Sequence, residues 1–259
     1  MTLLMPLFAL LGLFVGSFLN VCIDRLPREQ SIINPSSHCS ACNRKLGILE
    51  LIPVFSYLWL RGRCRYCGAP IPLRLPIVEG ITGLLFTFLY WKFGLGWELG
   101  ISIIYGCLLI LIFVIDLEQQ LVLNKITYPG MVLTLALAFF WPGTSMMSLL
   151  PVEALSRFVS SLAGGAFGLA AMALPYIVYR RGMGMGDVKL GALVGLMTGF
   201  PLVILTILMS WIGGGVVAAV LLALKIKTLK DPIPSATFLS AAAMVTLLWG
   251  QAIWHWYLP

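Results

Sequence analysis

Residues 101–116 read ISIIYGCLLILIFVID, an apolar run that closes on an aspartate. A hydrocarbon core of about 30 Å requires a helix of roughly 17 to 25 mostly apolar residues, and a carboxylate at its edge costs several kcal/mol unless it is paired or used. A second aspartate, Asp187, lies in residues 184–189, GMGDVK, just before another apolar segment. We therefore interpret Asp116 and Asp187 as a pair suited to acid–base chemistry.

The composition indicates a polytopic membrane protein, because 60% of the residues are hydrophobic, 10% are charged and the mean hydropathy is +0.98. We expect an all-α fold of about eight transmembrane helices with a small zinc-binding cytoplasmic loop module. The sixth predicted span is short and Gly-rich, and Pro201 separates it from the seventh, so a bent helix or a tight helical hairpin fits equally well and the count is seven or eight. The predicted spans are 3–21, 77–93, 99–115, 126–141, 158–179, 188–199, 202–224 and 236–257.

The distribution of basic residues predicts the orientation of the chain. Eight of its 17 Lys and Arg residues lie in the loop after the first span, and positive loops stay in the cytoplasm. Counting spans onward places Asp116 and Asp187 at the same, cytoplasmic, face. The net charge of +7 fits loop topology and anionic lipid, and no motif indicates nucleic-acid binding. The eight loop residues are Arg25, Arg28, Arg44, Lys45, Arg61, Arg63, Arg65 and Arg74.

Four cysteines in the same loop have the spacing of a zinc site. Cys39 and Cys42 form one C-x2-C knuckle, and Cys64 and Cys67 form another. A cytoplasmic loop of about fifty residues has no core of its own, so a structural Zn2+ would supply much of its folding energy. A redox dithiol pair or free thiols are the alternatives, and His38 could replace one ligand.

These segments together resemble one family, the type IV prepilin peptidases, which are membrane aspartyl proteases of the GxGD class. The resemblance covers most of the chain. It rests on residues 16–21 (GSFLNV) and 25–27 (RLP), on the cysteine knuckles with 60–65 (LRGRCR) between them, on 74–79 (RLPIVE), on Asp116 at a helix end, and on 184–189.

The resemblance implies an aspartic endopeptidase that cleaves the short basic leader from prepilins or pseudopilins at the cytoplasmic face of the bacterial inner membrane. Members with the cysteine loop also methylate the new N-terminus with S-adenosylmethionine, so a bifunctional enzyme is expected. The implied division is a first transmembrane helix (1–21), a four-cysteine zinc loop (22–76) and a protease core (77–259). The sequence does not predict the oligomeric state.

Supporting residues are expected around the aspartates. Gly184 and Gly186 would permit unusual backbone angles and let an extended substrate approach closely. Lys189 would tune Asp187, contact lipid phosphate or mark the helix end. Glu79 is either a substrate or cofactor contact or a first-turn acid favoured by the helix dipole.

Two departures from the family pattern concern loops near the site. Residues 233–237 read IPSAT where a Pro-x-Gly-Pro-like turn is expected, and 117–124 read LEQQLVLN where an Ile-Pro-Asn-like ending is expected. Neither departure changes a carboxylate. Two neighbouring carboxylates would share one proton and so provide a base that activates water and an acid that protonates the oxyanion.

Three alternatives remain open at the level of the sequence. The chain could be a membrane methyltransferase without protease activity, with structural aspartates. It could be a transporter or scaffold with a zinc-stabilised loop, although its acidic residues lie at helix ends rather than within spans. It could also be an intramembrane protease that cuts transmembrane helices.

Overall fold

The computed structural model describes residues 2–141, 153–178, 184–226, 228 and 234–257, and these form helices and loops without a β-strand. Eight long helices in the described residues occur where the eight spans were predicted, and a five-residue helix, α2, lies in the cysteine loop. The bounds are α1 Met5–Arg25, α2 Phe55–Trp59, α3 Arg74–Phe93, α4 Trp97–Gln119, α5 Asn124–Leu137, α6 Glu153–Val178, α7 Met185–Thr198, α8 Leu202–Ala223 and α9 Ser235–Tyr257.

Five of these helices are long and apolar enough to cross a bilayer: α1, α4, α6, α8 and α9. The predicted all-α, integral membrane fold is confirmed, whereas the exact number of spans stays a prediction. Many large apolar side chains point outward, which suits a lipid environment. Tyr179, the last residue of the predicted fifth span, lies outside the described residues.

The chain divides into two compact units, residues 1–103 and 104–259. Helix α4 begins in the first unit and continues into the second. The expected functional boundaries at residues 21 and 76 stay a prediction, because a division by packing assigns no activity to a segment.

The first unit is built on close packing between α1 and α3. Gly12 and Gly16 lie one turn apart on α1, and both face α3. A Cβ on Gly12 would lie 2.7 Å from the carbonyl oxygen of Thr82, and one on Gly16 would lie 2.7 Å from the Cα of Glu79. Small residues thus let the two backbones approach, as is common where helices associate in membranes.

The second unit is centred on α7, most of whose residues are buried. Its short, Gly-rich sequence is that of a core helix rather than a lipid-facing one. Gly195 packs against Gly164 of α6 so closely that a Cβ on either would overlap the other's backbone. The predicted sixth and seventh spans are two separate helices, and the break follows Gly199, whose φ of 71° ends α7.

Candidate active site and metal cluster

Asp116 lies in the last turn of α4 and is only 4% exposed. The helix ends there because Gln120 adopts a left-handed conformation and donates its N–H to the Asp116 carbonyl at 2.8 Å. The carboxylate faces the start of α9. Its Oδ2 accepts hydrogen bonds from the backbone N–H of Thr237 at 2.6 Å and from the Thr237 hydroxyl at 2.9 Å. The N–H of Ala236 also donates to this carboxylate.

Asp187 lies in the first turn of α7 and is 8% exposed. Its Oδ2 accepts the N–H of Gly184 at 3.2 Å, an N-capping interaction that fixes the side chain at the helix start. The Ser235 hydroxyl forms a second hydrogen bond to it. Asp187 is close enough to Asp116 for the two charges to interact. The structure therefore brings together two carboxylates that are 71 positions apart in the sequence.

The first turn of α9 joins the two aspartates, since Thr237 binds Asp116 and Ser235 binds Asp187. The unpaired N–H groups and dipole of a helix N-terminus favour negative charge, so this turn offsets part of the cost of burying the pair. Sequence reasoning noted residues 233–237 only as a departure and missed both contacts. A Ser-x-Thr opening of an apolar helix is a capping signal that could have indicated them. Ile233 lies outside the described residues.

The expectation of unusual backbone angles at Gly184 and Gly186 is wrong. Gly184 has φ −85° and ψ 152°, which any residue adopts, and neither glycine is in the left-handed region. Gly186 does allow a close approach. A Cβ there would lie 2.8 Å from the Cβ of Val122, so the neighbour is the loop after α4.

Lys189 connects α7 to α5. Its Nζ donates to Asn124 Oδ1 at 2.9 Å and lies 5.1 Å from the centre of the Tyr128 ring. Asn124 is the first residue of α5, so the lysine fixes the loop that follows Asp116. These contacts do not directly support tuning of Asp187, contact with lipid phosphate or marking of the helix end, which were the three expected roles. They indicate a fourth role, which is packing of α5 against α7.

Glu79 is described within the first unit, where it is 8% exposed. Its Oε2 accepts the N–H of Val54 at 2.7 Å, and the Ser17 hydroxyl also donates to it. Val54 has φ 61°, a conformation that a β-branched residue adopts only when its surroundings impose it. Glu79 therefore attaches the cysteine loop to α1 and α3.

The four predicted metal ligands form one cluster, in which all four Sγ atoms lie within 4.8 Å of one another. The Sγ atoms of Cys39 and Cys67 are 3.8 Å apart. Tetrahedral Zn2+ with Zn–S bonds of about 2.3 Å requires S–S separations of roughly 3.8 Å, so the cluster fits this ion. His38 binds the Ser36 carbonyl through Nδ1 and is not part of the cluster.

The two knuckles have the same backbone geometry. In each, the first cysteine accepts an N–H from the residue four positions on, namely Asn43 for Cys39 and Gly68 for Cys64, both at 2.9 Å. Both of these residues have positive φ, which Asn and Gly tolerate best. Each knuckle thus holds its two thiols on one side of a tight turn.

The thiols of the cluster differ in acidity. Hydrogen bonds from the N–H groups of Cys42 and Ala41 lower the pKa of Cys39 to about 6. A hydrogen bond from the Ala69 N–H lowers the pKa of Cys67. Loss of hydration and hydrogen bonds with the neighbouring thiols outweigh it and raise this pKa to about 11. A cation is needed to hold all four as thiolates, which is the form that binds metals.

Comparison with known proteins gives concordant matches along the chain. Residues 10–93 match the bacterial peptidase A24 N-terminal domain, and residues 103–219 match the type IV leader peptidase family. A prepilin leader peptidase/N-methyltransferase of Stutzerimonas stutzeri is 33% identical over 96% of this chain and 91% of its own length. Proteins of the same name from Pseudomonas aeruginosa and Bacillus subtilis are 31% and 29% identical, over 96% and 98% of this chain and 91% and 98% of theirs. No solved structure matches the chain.

Proposed function

Because this chain belongs to the type IV leader peptidase family, we propose that it is an aspartic endopeptidase that removes the leader from prepilins or pseudopilins and then methylates the new N-terminus. The observation that carries the proposal is the buried pair Asp116 and Asp187, joined by the first turn of α9. Two buried carboxylates that interact electrostatically are the arrangement that shares one proton. Both activities agree with the names of the relatives over nearly the whole chain.

Both carboxylates of the pair accept hydrogen bonds from the surrounding chain. Asp116 receives donors from Thr237 and Ala236, including two backbone N–H groups, whereas Asp187 receives one N–H and one hydroxyl. Hydrogen bonds donated to a carboxylate stabilise its charged form. These donors let one member of the pair carry a negative charge while the other holds the shared proton.

The reaction needs one ionised and one protonated carboxylate. The ionised aspartate takes a proton from a water molecule as the water attacks the scissile carbonyl, and the protonated aspartate gives its proton to the carbonyl oxygen. Collapse of the tetrahedral intermediate returns a proton to the leaving amine and releases the leader carboxylate. No covalent enzyme intermediate is required.

The cysteine cluster holds a structural Zn2+ through Cys39, Cys42, Cys64 and Cys67. Four thiolates fill the tetrahedral coordination sphere, so the ion stabilises the loop and leaves no position for a reactive water. The site faces the cytoplasm of the bacterial inner membrane, which the basic residues of the same loop support.

Incubation of the purified protein in lipid nanodiscs with a prepilin-like substrate tests the proposal. Mass spectrometry should show a mature chain that lacks its leader, and S-adenosylmethionine should add one methyl group to the new N-terminus. Methylation without cleavage would support a methyltransferase alone. A protein that contains its metal but leaves several such substrates unchanged would overturn the proposed function.

A further inference from the structure

The cysteine loop of the first unit carries apolar side chains that point away from the protein. In α2, Phe55, Leu58 and Trp59 are 62%, 66% and 88% exposed, and these three residues form the apolar face of α2. The short 3₁₀ turn Ile48–Leu51 packs against α2, and its first two side chains are also strongly exposed. All of these residues lie in the loop between the first two predicted spans, so the hydrocarbon core around a spanning helix does not account for their exposure.

Helix α2 is oriented opposite to a helix on the surface of a soluble domain. Phe55, Leu58 and Trp59 have the spacing i, i+3, i+4 and therefore share one face. Ser56 and Tyr57 occupy the other side, where they are half-buried and line a polar cavity within the unit. A soluble loop would bury its apolar face and expose its polar one. Neighbouring apolar side chains left on the outside mark a surface that contacts a protein or a membrane.

A hydrogen bond holds α2 at the level where the neighbouring helices enter the bilayer. Val54, which precedes α2, donates its N–H to Glu79 Oε2 at 2.7 Å. Glu79 is the third residue of the predicted span 77–93, and it also accepts a hydrogen bond from Ser17 of α1. Helix α1 is long and apolar enough to cross a bilayer. Helix α2 therefore begins close to the membrane–water boundary.

The chain that follows α2 carries the charge that suits an anionic surface. Residues 60–66, LRGRCRY, contain three exposed arginines, Arg61, Arg63 and Arg65, and no acidic residue. Basic side chains near a membrane attract anionic phospholipid headgroups, and tryptophan is enriched at the same interface. Apolar side chains with arginines beside them are typical of helices that lie in the plane of a membrane interface. A protein partner with an apolar surface would match Trp59 but not the arginines.

We propose that α2 lies in the interface of the bilayer that α1 crosses, with its apolar face among the acyl chains and Arg61 and Arg63 at anionic phospholipid headgroups. Burial of this face removes apolar surface from water, which is the main driving force for such binding. The cysteine loop then lies along the membrane surface instead of extending into the aqueous phase. The inference rests on the integral membrane fold and on neither of the proposed activities.

Photocrosslinking of the full-length, zinc-loaded protein in nanodiscs tests the proposal. Trp59→p-benzoylphenylalanine should form a phospholipid adduct that mass spectrometry detects on the peptide containing position 59. Tyr57→p-benzoylphenylalanine is the matched control, because Tyr57 lies on the opposite face of the same helix, and it should give at least about fivefold less lipid adduct. Ser56→p-benzoylphenylalanine replaces this control if the Tyr57 variant does not fold. Each variant compared should contain zinc and unfold near the wild-type temperature.

Lipid composition tests the electrostatic part of the proposal. The adduct at position 59 should increase about threefold or more when phosphatidylglycerol replaces part of the phosphatidylcholine. Combining Arg61→Gln with Arg63→Gln should remove most of that increase, because the two charges that attract the anionic headgroups are lost. An increase of the same size with and without the two arginines would overturn their assignment to the headgroups.

The remaining outcomes separate this proposal from the proposed function. A folded protein that cleaves its leader substrate but forms no lipid adduct at position 59 would overturn the interfacial placement and leave the peptidase proposal intact. Equal lipid adducts at positions 57 and 59 would overturn the orientation of α2. A crosslink from position 59 to the substrate or to a second copy of the chain, in place of lipid, would overturn the proposal and assign the apolar face to a protein partner.

Discussion

At the scale of single residues, Thr237 is the contact that orders the site. Its backbone N–H and its hydroxyl bond the same oxygen of Asp116, so the side chain fixes the orientation of this carboxylate. Thr237 acts through Asp116 and is therefore a positioning residue. A substitution that removes the hydroxyl keeps the backbone N–H bond and therefore isolates the contribution of the hydroxyl to the orientation of Asp116.

Thr237→Val should lower kcat for leader cleavage by about tenfold with little change in KM, because one hydrogen bond to a charged group is lost. Thr237→Ser should recover most of the activity. Steady-state kinetics on a prepilin-like peptide would measure both. If Thr237→Ser were as impaired as Thr237→Val, the methyl group and not the hydroxyl would be what the site requires.

Gly186 offers a second test at this scale, since its Cα faces Val122 at a distance that leaves no room for a methyl group. Gly186→Ala should destabilise the protein by about 1–3 kcal/mol through overpacking. Val122→Ala should recover part of that loss when combined with it, because the two positions share one contact. Thermal unfolding of the two single variants and the double variant in detergent gives the coupling. Strict additivity would show that the close approach has no energetic consequence.

At the scale of elements, the packing of α6 against α7 depends on glycines. Gly195→Ala should cost about 2 kcal/mol or more, because the added methyl overlaps the backbone of Gly164. Gly213→Ala on α8 is the matched control, since nothing lies within 4 Å of a Cβ there. It should be neutral or slightly stabilising, as Ala is the better helix former. Equal unfolding temperatures for the two variants would contradict the close α6–α7 interface.

The cysteine loop is the other element with a direct test. The protein should contain one zinc ion, Cys64→Ser should lose most of it, and His38→Ala should retain it, because the imidazole binds the Ser36 carbonyl. Metal analysis of the purified variants measures this. Chelation should also make the loop sensitive to protease, since the ion supplies much of its folding energy. Full zinc occupancy in Cys64→Ser would rule out the four-cysteine site.

At the scale of the whole molecule, the sequence predicted what local patterns determine. Apolar runs predicted the helices, and the knuckle spacing predicted the cluster of four thiols. The placement of Asp116 and Asp187 at the cytoplasmic face, which loop charge predicts, stays a prediction. Contacts between distant segments were not predictable in the same way. The hydrogen bonds from Ser235 and Thr237 to the aspartates join α9 to α7 and α4. No local sequence pattern specifies a contact between helices so far apart in the chain.

The same limit explains the error at Gly184 and Gly186. Glycine beside an aspartate suggested unusual backbone angles, yet the backbone angles there are ordinary. Gly186 is required because a side chain at this position would collide with Val122. Asn20 shows the converse. Its place in the 16–21 motif was noted from the sequence, but only the structure shows that its side-chain oxygen is buried without a hydrogen-bond partner among the described residues.

Asp116 and Asp187 together are proposed to cleave the leader. Cleavage of a prepilin-like substrate by Asp116→Asn and Asp187→Asn tests it most directly, with Glu118→Gln as the control because Glu118 is an exposed acid in the same helix turn as Asp116. Both aspartate variants should fold, bind zinc and lose at least about a thousandfold in kcat, while Glu118→Gln should cleave normally. Substantial cleavage by either folded aspartate variant would contradict it.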